Sequence, residues 1–253
     1  MRSRWVVSVV SHGHGASVSR VLSDIHAQLA PVPHRLVLTL NRSEDERFLA
    51  ALPTGVREHL SVRRNPRPLG FGANHNAALR DAQADHVLVA DPDLSLPLPV
   101  FGALETALAV PDCGIVAPLA RTPDGRAEDN ARRLPSPRDV LTRRLRGRDR
   151  DRLDHAQGTH DVDWVAGLLM AMRADTFAAL GGFDERYHLY CEDVDLCLRS
   201  WRAGLRVQLL ADVGVTHPAR RDTHRKPRHF IWHLRSLLRL WSSRVYREHR
   251  RIA

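Results

Sequence analysis

The sequence predicts an α/β fold: a Rossmann-like, mostly parallel central sheet flanked by helices, followed by a basic amphipathic helix at the C-terminal end. Three observations predict it. Short, nearly continuous apolar runs alternate with segments of helical periodicity through the first two-fifths of the chain, which is the pattern of right-handed βαβ units. Those runs stop abruptly at polar or acidic residues, where a parallel sheet buried on both faces opens onto a ligand crevice. From Phe230 onward, apolar residues 230, 234, 237, 238, 241 and 245 share one helical face and arginines occupy the rest.

In chain order, the run WVVSVV at 5–10 is a doubly buried strand, and apolar residues 18, 21, 22, 25 and 29 give a helix over 18–29. Residues 35–40 form a second strand. A helix over 48–60 is interrupted by Pro53-Thr-Gly55. Residues 73–82 form another helix, and 86–90 a strand that stops at Asp91-Pro-Asp93. Positions 121–160 are dense in Arg, Asp, Gly and Pro, and read as a long, mobile or substrate-gated excursion. Regular structure resumes at Val162 and runs to about Val215. The expected organisation is one domain over 1–218, carrying the 121–160 excursion, and a helical extension over 219–253.

At 253 residues and 43% apolar content the chain can bury one large core, and it has no apolar run near the roughly 20 residues of a membrane span. Met1-Arg-Ser-Arg4 leads straight into the first strand without a signal-peptide core, so a cytoplasmic protein is expected. Cys113, Cys191 and Cys197 form no CxxC pair, which disfavours disulfides and a cysteine zinc site. The net charge of +9 is almost all arginine, Lys226 being the only lysine. It calls for an anionic partner: nucleic acid, an anionic membrane face or a phosphorylated substrate.

Four motifs bear on chemistry. Asp91 and Asp93 at i and i+2 beyond a strand end suit a hard divalent cation on phosphate oxygens, or simply an Asp-Pro turn. Glu192, Asp193 and Asp195 open a helix that ends at Ala203-Gly204. They either complement the helix dipole or raise one another's pKa values toward a general base. Gly70-Phe-Gly-Ala-Asn-His-Asn76 lacks the spacing of a P-loop or dinucleotide motif and reads as a tight loop-to-helix turn. His12-Gly-His14 lacks the further ligands of a zinc hydrolase, and His217 follows the strand-like 205–215 segment.

The order of these pieces, with Asn41-Arg-Ser-Glu-Asp45, Val165-Ala-Gly-Leu-Leu-Met-Ala-Met-Arg173, Gly181-Gly-Phe-Asp-Glu185 and Tyr190-Cys-Glu-Asp-Val-Asp195, resembles family 2 glycosyltransferases. The resemblance is to their rhamnosyltransferase-like branch in bacterial surface polysaccharide synthesis and covers residues 5–245. It implies a GT-A fold and inverting transfer from a nucleotide-sugar. Asp91, Asp93 and His217 would hold Mg²⁺ or Mn²⁺, and Asp193 would be the general base. Glu192 and Asp195 would shape the site or grip acceptor hydroxyls. Trp164 and Gly167 would line the acceptor side; Ser11, Asn41, Gly70, Phe71, Gly72 and Asn76 would lie on the donor side. The chain departs from the family where relatives carry Asp-Asn-x-Ser and Tyr-Asn: it has Leu40-Asn41 and His12-Gly13, both in the base-reading pocket. The implied donor is dTDP-rhamnose, with UDP-sugars open. The implied acceptor is a saccharide or a polyprenyl-diphosphate-linked saccharide at the inner membrane face, and the basic helix either lies on that anionic surface or packs on the domain with its basic face in solvent.

Two rival readings are an arginine-rich nucleic-acid module, from the clusters at 121–152 and 220–251, and a non-catalytic scaffold at the membrane surface. The first lacks a reader motif and has few aromatics, so no specific nucleic acid is expected. The second would have lost Asp93 or Asp193, and both are present.

Overall fold

A computed structural model describes residues 2–134, 136–137, 157–218 and 227–252. The elements of the first half are β1 (Ser3–Ser11), α1 (Ala16–Leu29), β2 (His34–Leu40), α2 (Arg47–Ala50), α3 (Thr54–His59), β3 (Leu60–Arg64), α4 (Phe71–Leu79), β4 (Ala84–Ala90), α5 (Phe101–Leu108) and β5 (Cys113–Arg121). They are followed by β6 (Ala131–Arg132), β7 (Thr159–Asp161), β8 (Trp164–Val165), β9 (Leu169–Arg173), α6 (Ala174–Ala179), α7 (Glu192–Arg202), β10 (Arg206–Thr216), α8 (Pro227–Ser242) and α9 (Arg244–Ile252).

The main sheet has the order β3-β2-β1-β4-β9-β5-β10-β7. The pairs β1–β2, β1–β4, β2–β3 and β5–β10 are parallel, whereas β9 is antiparallel to both β4 and β5. Strand alternation divides the core between the two faces. Trp5, Val7 and Val9 join Leu36, Leu38 and Leu88 beneath α1 and α5. Val6, Val37, Val87 and Val89 face the opposite way, against Leu79, Phe177, Leu196 and Cys197 of α4, α6 and α7. All of these side chains are buried.

Three expectations need correction. The helix expected over 48–60 stops at His59, and Leu60 instead opens the edge strand β3 over 60–64, a strand the sequence did not predict. The 121–160 segment is not an excursion over its first part. The Asn130 carboxamide is buried, donating to Pro118 O at 2.9 Å and accepting from Ala120 N at 2.9 Å. It thereby ties 128–132 back onto β5. The rest of that segment, 138–156, lies outside the described residues, as do 219–226 of the expected extension. The C-terminal helix is two helices, α8 and α9. Their Leu237, Leu240 and Tyr246 pack on Tyr187, Cys191, Val194 and Leu198 around α7, and Arg202 pairs with Glu248 at 3.1 Å. The helices are thus attached to the acid-bearing element, while Phe230, Ile231, Leu234 and Leu238 remain exposed.

Gly72 shows how tightly the two halves meet. A Cβ there would lie 2.6 Å from Phe183 Cβ, so the backbone of α4 must approach the 181–185 loop closely. Gly72→Ala is expected to lower the unfolding free energy by about 1–3 kcal/mol through overpacking, read from urea unfolding midpoints; an unchanged midpoint contradicts this.

Candidate active site

The carboxyl end of β4 delivers the first acids. Asp91 follows the last residue of the strand and its N–H donates to Leu168 O at 2.8 Å. The Asp93 carboxylate lies 3.6 Å from His217 Nε2, which β10 presents from across the sheet. An exchange of backbone hydrogen bonds between Ser95 and Thr216, both 2.9 Å, fixes this approach. One ligand atom from each of Asp91, Asp93 and His217 lies within 4.8 Å of the others. Burial, opposed by His217 and reinforced by Asp93 and Asp193, pushes the Asp91 carboxyl up to about 7.

Glu128, absent from the sequence reading, completes this corner. Its Oε2 accepts from His217 Nδ1 at 2.8 Å, which leaves Nε2 turned toward Asp93. Its Oε1 is buried without a hydrogen-bond partner among the described residues. A carboxylate behind an imidazole in this way fixes the tautomer of a metal ligand. The donor set, two carboxylates and one imidazole, suits Mn²⁺ or Mg²⁺. So do the acidic surroundings: Glu192 Oε2 is also buried without a partner, and the charges of Asp91, Glu192 and Asp193 act on one another. A divalent cation offsets that repulsion.

The second group of acids opens α7. Tyr190 and Cys191 both adopt left-handed backbone, at φ 72° and 64°. That conformation is costly for residues with side chains and is found where function fixes geometry. It turns the chain so that Glu192 and Asp193 enter the helix beside the β4 acids. Asp193 Oδ2 accepts from Gly167 N at 3.1 Å and Oδ1 from Val194 N at 2.8 Å. Burial nevertheless raises its pKa, and burial together with Asp193 holds Glu192 well above the usual carboxylate range. One short turn therefore serves both groups of acids: Leu168 O anchors Asp91 while Gly167 N–H anchors Asp193. A Cβ on Gly167 would meet Phe71 Cζ at 2.7 Å.

Other expected site residues have structural partners. Asp195 is buried in an ion pair with Arg199, 2.8 Å away. Asn76 is committed to the 181–185 loop. It donates to Phe183 O and accepts from Phe183 N, both at 2.8 Å, and donates to Glu185 at 3.0 Å. Asn41 donates to Leu69 O at 2.9 Å and accepts from Leu69 N at 2.8 Å and Asn65 Nδ2 at 2.7 Å, so it shapes the loop before α4. Ser11 Oγ accepts from His14 N at 3.1 Å. Gly70, Phe71 and Gly72 pack the α4 N-terminus onto His188, Gly167 and Phe183. The structure thus shows these residues holding together the loops around the α4 N-terminus. Trp164 is half-buried, its indole donating to Arg133 O at 3.1 Å.

A family model described as glycosyltransferase-like family 2 matches residues 4–239. An N-acetylglucosaminyl-diphospho-decaprenol L-rhamnosyltransferase of Mycobacterium tuberculosis is 29% identical over 245 residues, 87% of this chain and 78% of the relative. The rhamnosyltransferase WbbL of Escherichia coli K12 is 26% identical over 250 residues, 92% and 90%. Among solved structures, GalNAc-T7 with UDP, GalNAc and Mn²⁺ superposes with a TM-score of 0.64 at 17% identity, over 85% of this chain and 43% of that protein. The mannosyltransferase PcManGT of Pyrobaculum calidifontis, in complex with GDP-Man and Mn²⁺, gives 0.60 at 20% identity, over 94% and 65%. The chain spans less than two thirds of either solved protein, and these likenesses speak to the fold, which is GT-A.

Proposed function

The chain belongs to glycosyltransferase-like family 2, and from that premise we propose that it is an inverting, metal-dependent rhamnosyltransferase of cell-surface polysaccharide synthesis. Its donor in this reading is dTDP-rhamnose and its acceptor a lipid-diphosphate-linked saccharide. The observation that carries the reading is the convergence of Asp91, Asp93 and His217 within 4.8 Å, joined through the 166–168 turn to Asp193.

Asp91, Asp93 and His217 would hold the cation. When bound, Mn²⁺ or Mg²⁺ neutralises charge gathering on the nucleotide diphosphate as it leaves. Asp193 takes the proton of the acceptor hydroxyl as that oxygen attacks the anomeric carbon from the face opposite the nucleotide. The Gly167 N–H steadies the Asp193 carboxylate, and burial raises its basicity. Glu128 orients His217. Glu128→Gln is accordingly expected to weaken Mn²⁺ affinity by about 10–100-fold, as measured by calorimetry; unchanged affinity contradicts that role.

The acceptor side of the proposal rests on an arginine-lined cavity of about 710 Å³, bordered by Arg186, His188, Trp232, Arg235 and Arg239. Guanidinium groups there suit a diphosphate. His188 also accepts a hydrogen bond from Phe71 N through its carbonyl, which puts the cavity next to the α4 loop. The exposed apolar stripe of α8 beside these arginines suits peripheral contact with an anionic membrane face, at about 1 kcal/mol per nearby arginine. Among the described residues no helix is long and apolar enough to cross a membrane.

Calorimetric titration with dTDP, UDP and GDP, each with and without Mn²⁺, tests the reading. Metal-dependent binding of dTDP is expected. Binding of none of the three to folded protein would overturn it.

A further inference from the structure

The three histidines His26, His34 and His59 converge at the far side of the fold from the acids, and the mechanism uses none of them. His26 lies in the last turn of α1, His34 opens β2 and His59 ends α3. One ring nitrogen of each lies within 4.8 Å of the others. The cluster sits at the amino end of β2, whereas the candidate active site lies beyond the carboxyl ends of the strands, about 20 Å away at the rise of an extended chain.

We propose that His26, His34 and His59 form a second metal site, selective for Zn²⁺ or a similar borderline cation, that clamps α1 and α3 onto the edge of the sheet.

The hydrogen bonding prepares the rings for this. His34 Nδ1 donates to Val32 O and His59 Nδ1 to Gly55 O, both at 2.9 Å. Each therefore keeps its Nε2 lone pair for a ligand, with the outer nitrogen held by a carbonyl as at built histidine sites. His26 Nδ1 lies 3.0 Å from His34 Nε2. Two nitrogens of a tetrahedral zinc site, at bond lengths of about 2.0 Å, lie about 3.3 Å apart, so a cation replaces the shared proton after a small displacement. His26 then carries its proton on the other nitrogen, and no net proton is lost. The rings of His34 and His59 stack nearly parallel, 6° apart with centroids 4.2 Å apart, so one of them must turn out of the stack for both Nε2 lone pairs to meet the same cation. Two further features favour a cation. His26 and His59 both sit at helix C-termini, the negative ends of their dipoles, and Glu58 is near enough to act on His26 electrostatically. A Cβ on Gly55 would come within 2.8 Å of His26 Nε2, so the glycine leaves that nitrogen room. An all-imidazole site prefers zinc, whereas the oxygen-rich Asp91/Asp93 site suits manganese or magnesium.

The test is a calorimetric titration of ZnCl₂ into the chelator-treated full chain, run alongside thermal unfolding. The expected result is one zinc equivalent at micromolar affinity or tighter, with a rise in Tm, and both retained in Asp93→Ala. His59→Gln and the less demanding His26→Gln should each weaken that binding at least about tenfold and remove the rise in Tm. Absence of zinc uptake by the folded wild type would overturn the proposal. So would uptake abolished by Asp93→Ala, or uptake unchanged in the two histidine variants.

Discussion

Asp193→Asn is expected to lower the rate of sugar transfer by about 10²–10⁴-fold while leaving donor-nucleotide affinity within about twofold of wild type. The carboxamide is nearly isosteric and can still accept one of the two backbone hydrogen bonds now made from Gly167 and Val194. It cannot take a proton. The loss therefore belongs to kcat. The pH profile separates this role from a structural one. The Asp193 pKa is raised by burial, and the base works only when ionised. Wild-type kcat should fall as pH drops through that raised value, and the residual activity of Asp193→Asn should lack this acidic limb. Wild-type turnover in the variant, or an unaltered limb, would contradict the assignment.

Asp93→Ala is expected to reduce Mn²⁺-supported donor binding to the level seen in chelator, a loss larger than the about 10–100-fold that outer partners command. Asp93 shares its cation with only two other ligand residues in this reading, Asp91 and His217. Its removal also leaves His217 held by Glu128 alone. The same site predicts a pH dependence. Asp91, pushed up to about 7, must lose its proton to bind a cation, so Mn²⁺ affinity should weaken as pH falls below 7 and level off above it. Calorimetry at pH 6, 7 and 8 reads this directly; pH-independent affinity across that range would contradict it.

The buried strands were the most legible part of the chain. Continuous apolar runs at 5–10, 35–40 and 86–90 correspond to β1, β2 and β4, and Asp91 and Asp93 follow directly at the carboxyl end of β4. Less came through elsewhere, for physical reasons. Strand β3 is an edge strand with two arginines and little burial, so its composition resembles a helix end. The reversed direction of β9 leaves no trace in hydrophobicity, because parallel and antiparallel neighbours bury the same side chains. Glu128 and Asn130 lie in a polar tract whose fold depends on long-range partners, Ala120 and His217. Asn41 and Asn76 carry motif residues whose carboxamides are used in holding loops together, which spacing alone does not distinguish from ligand contact. The histidine trio is assembled from three separate elements, so no local pattern announces it. The break between α8 and α9 falls at Ser243 without a proline or glycine, where Ser243 Oγ accepts from Tyr246 N at 3.1 Å and caps the second helix.

In the proposed mechanism the acids beyond β4 and at the start of α7 work as one metal-dependent transferase centre. Its most direct test is the initial rate of rhamnosyl transfer from dTDP-rhamnose to a lipid-diphosphate-linked N-acetylglucosamine, with the enzyme first in chelator and then in Mn²⁺, and the anomeric configuration of the product read by NMR. The account predicts negligible transfer in chelator, restoration by Mn²⁺ and inversion at the anomeric carbon. Transfer undiminished in chelator, or a product that retains the donor configuration, would contradict it.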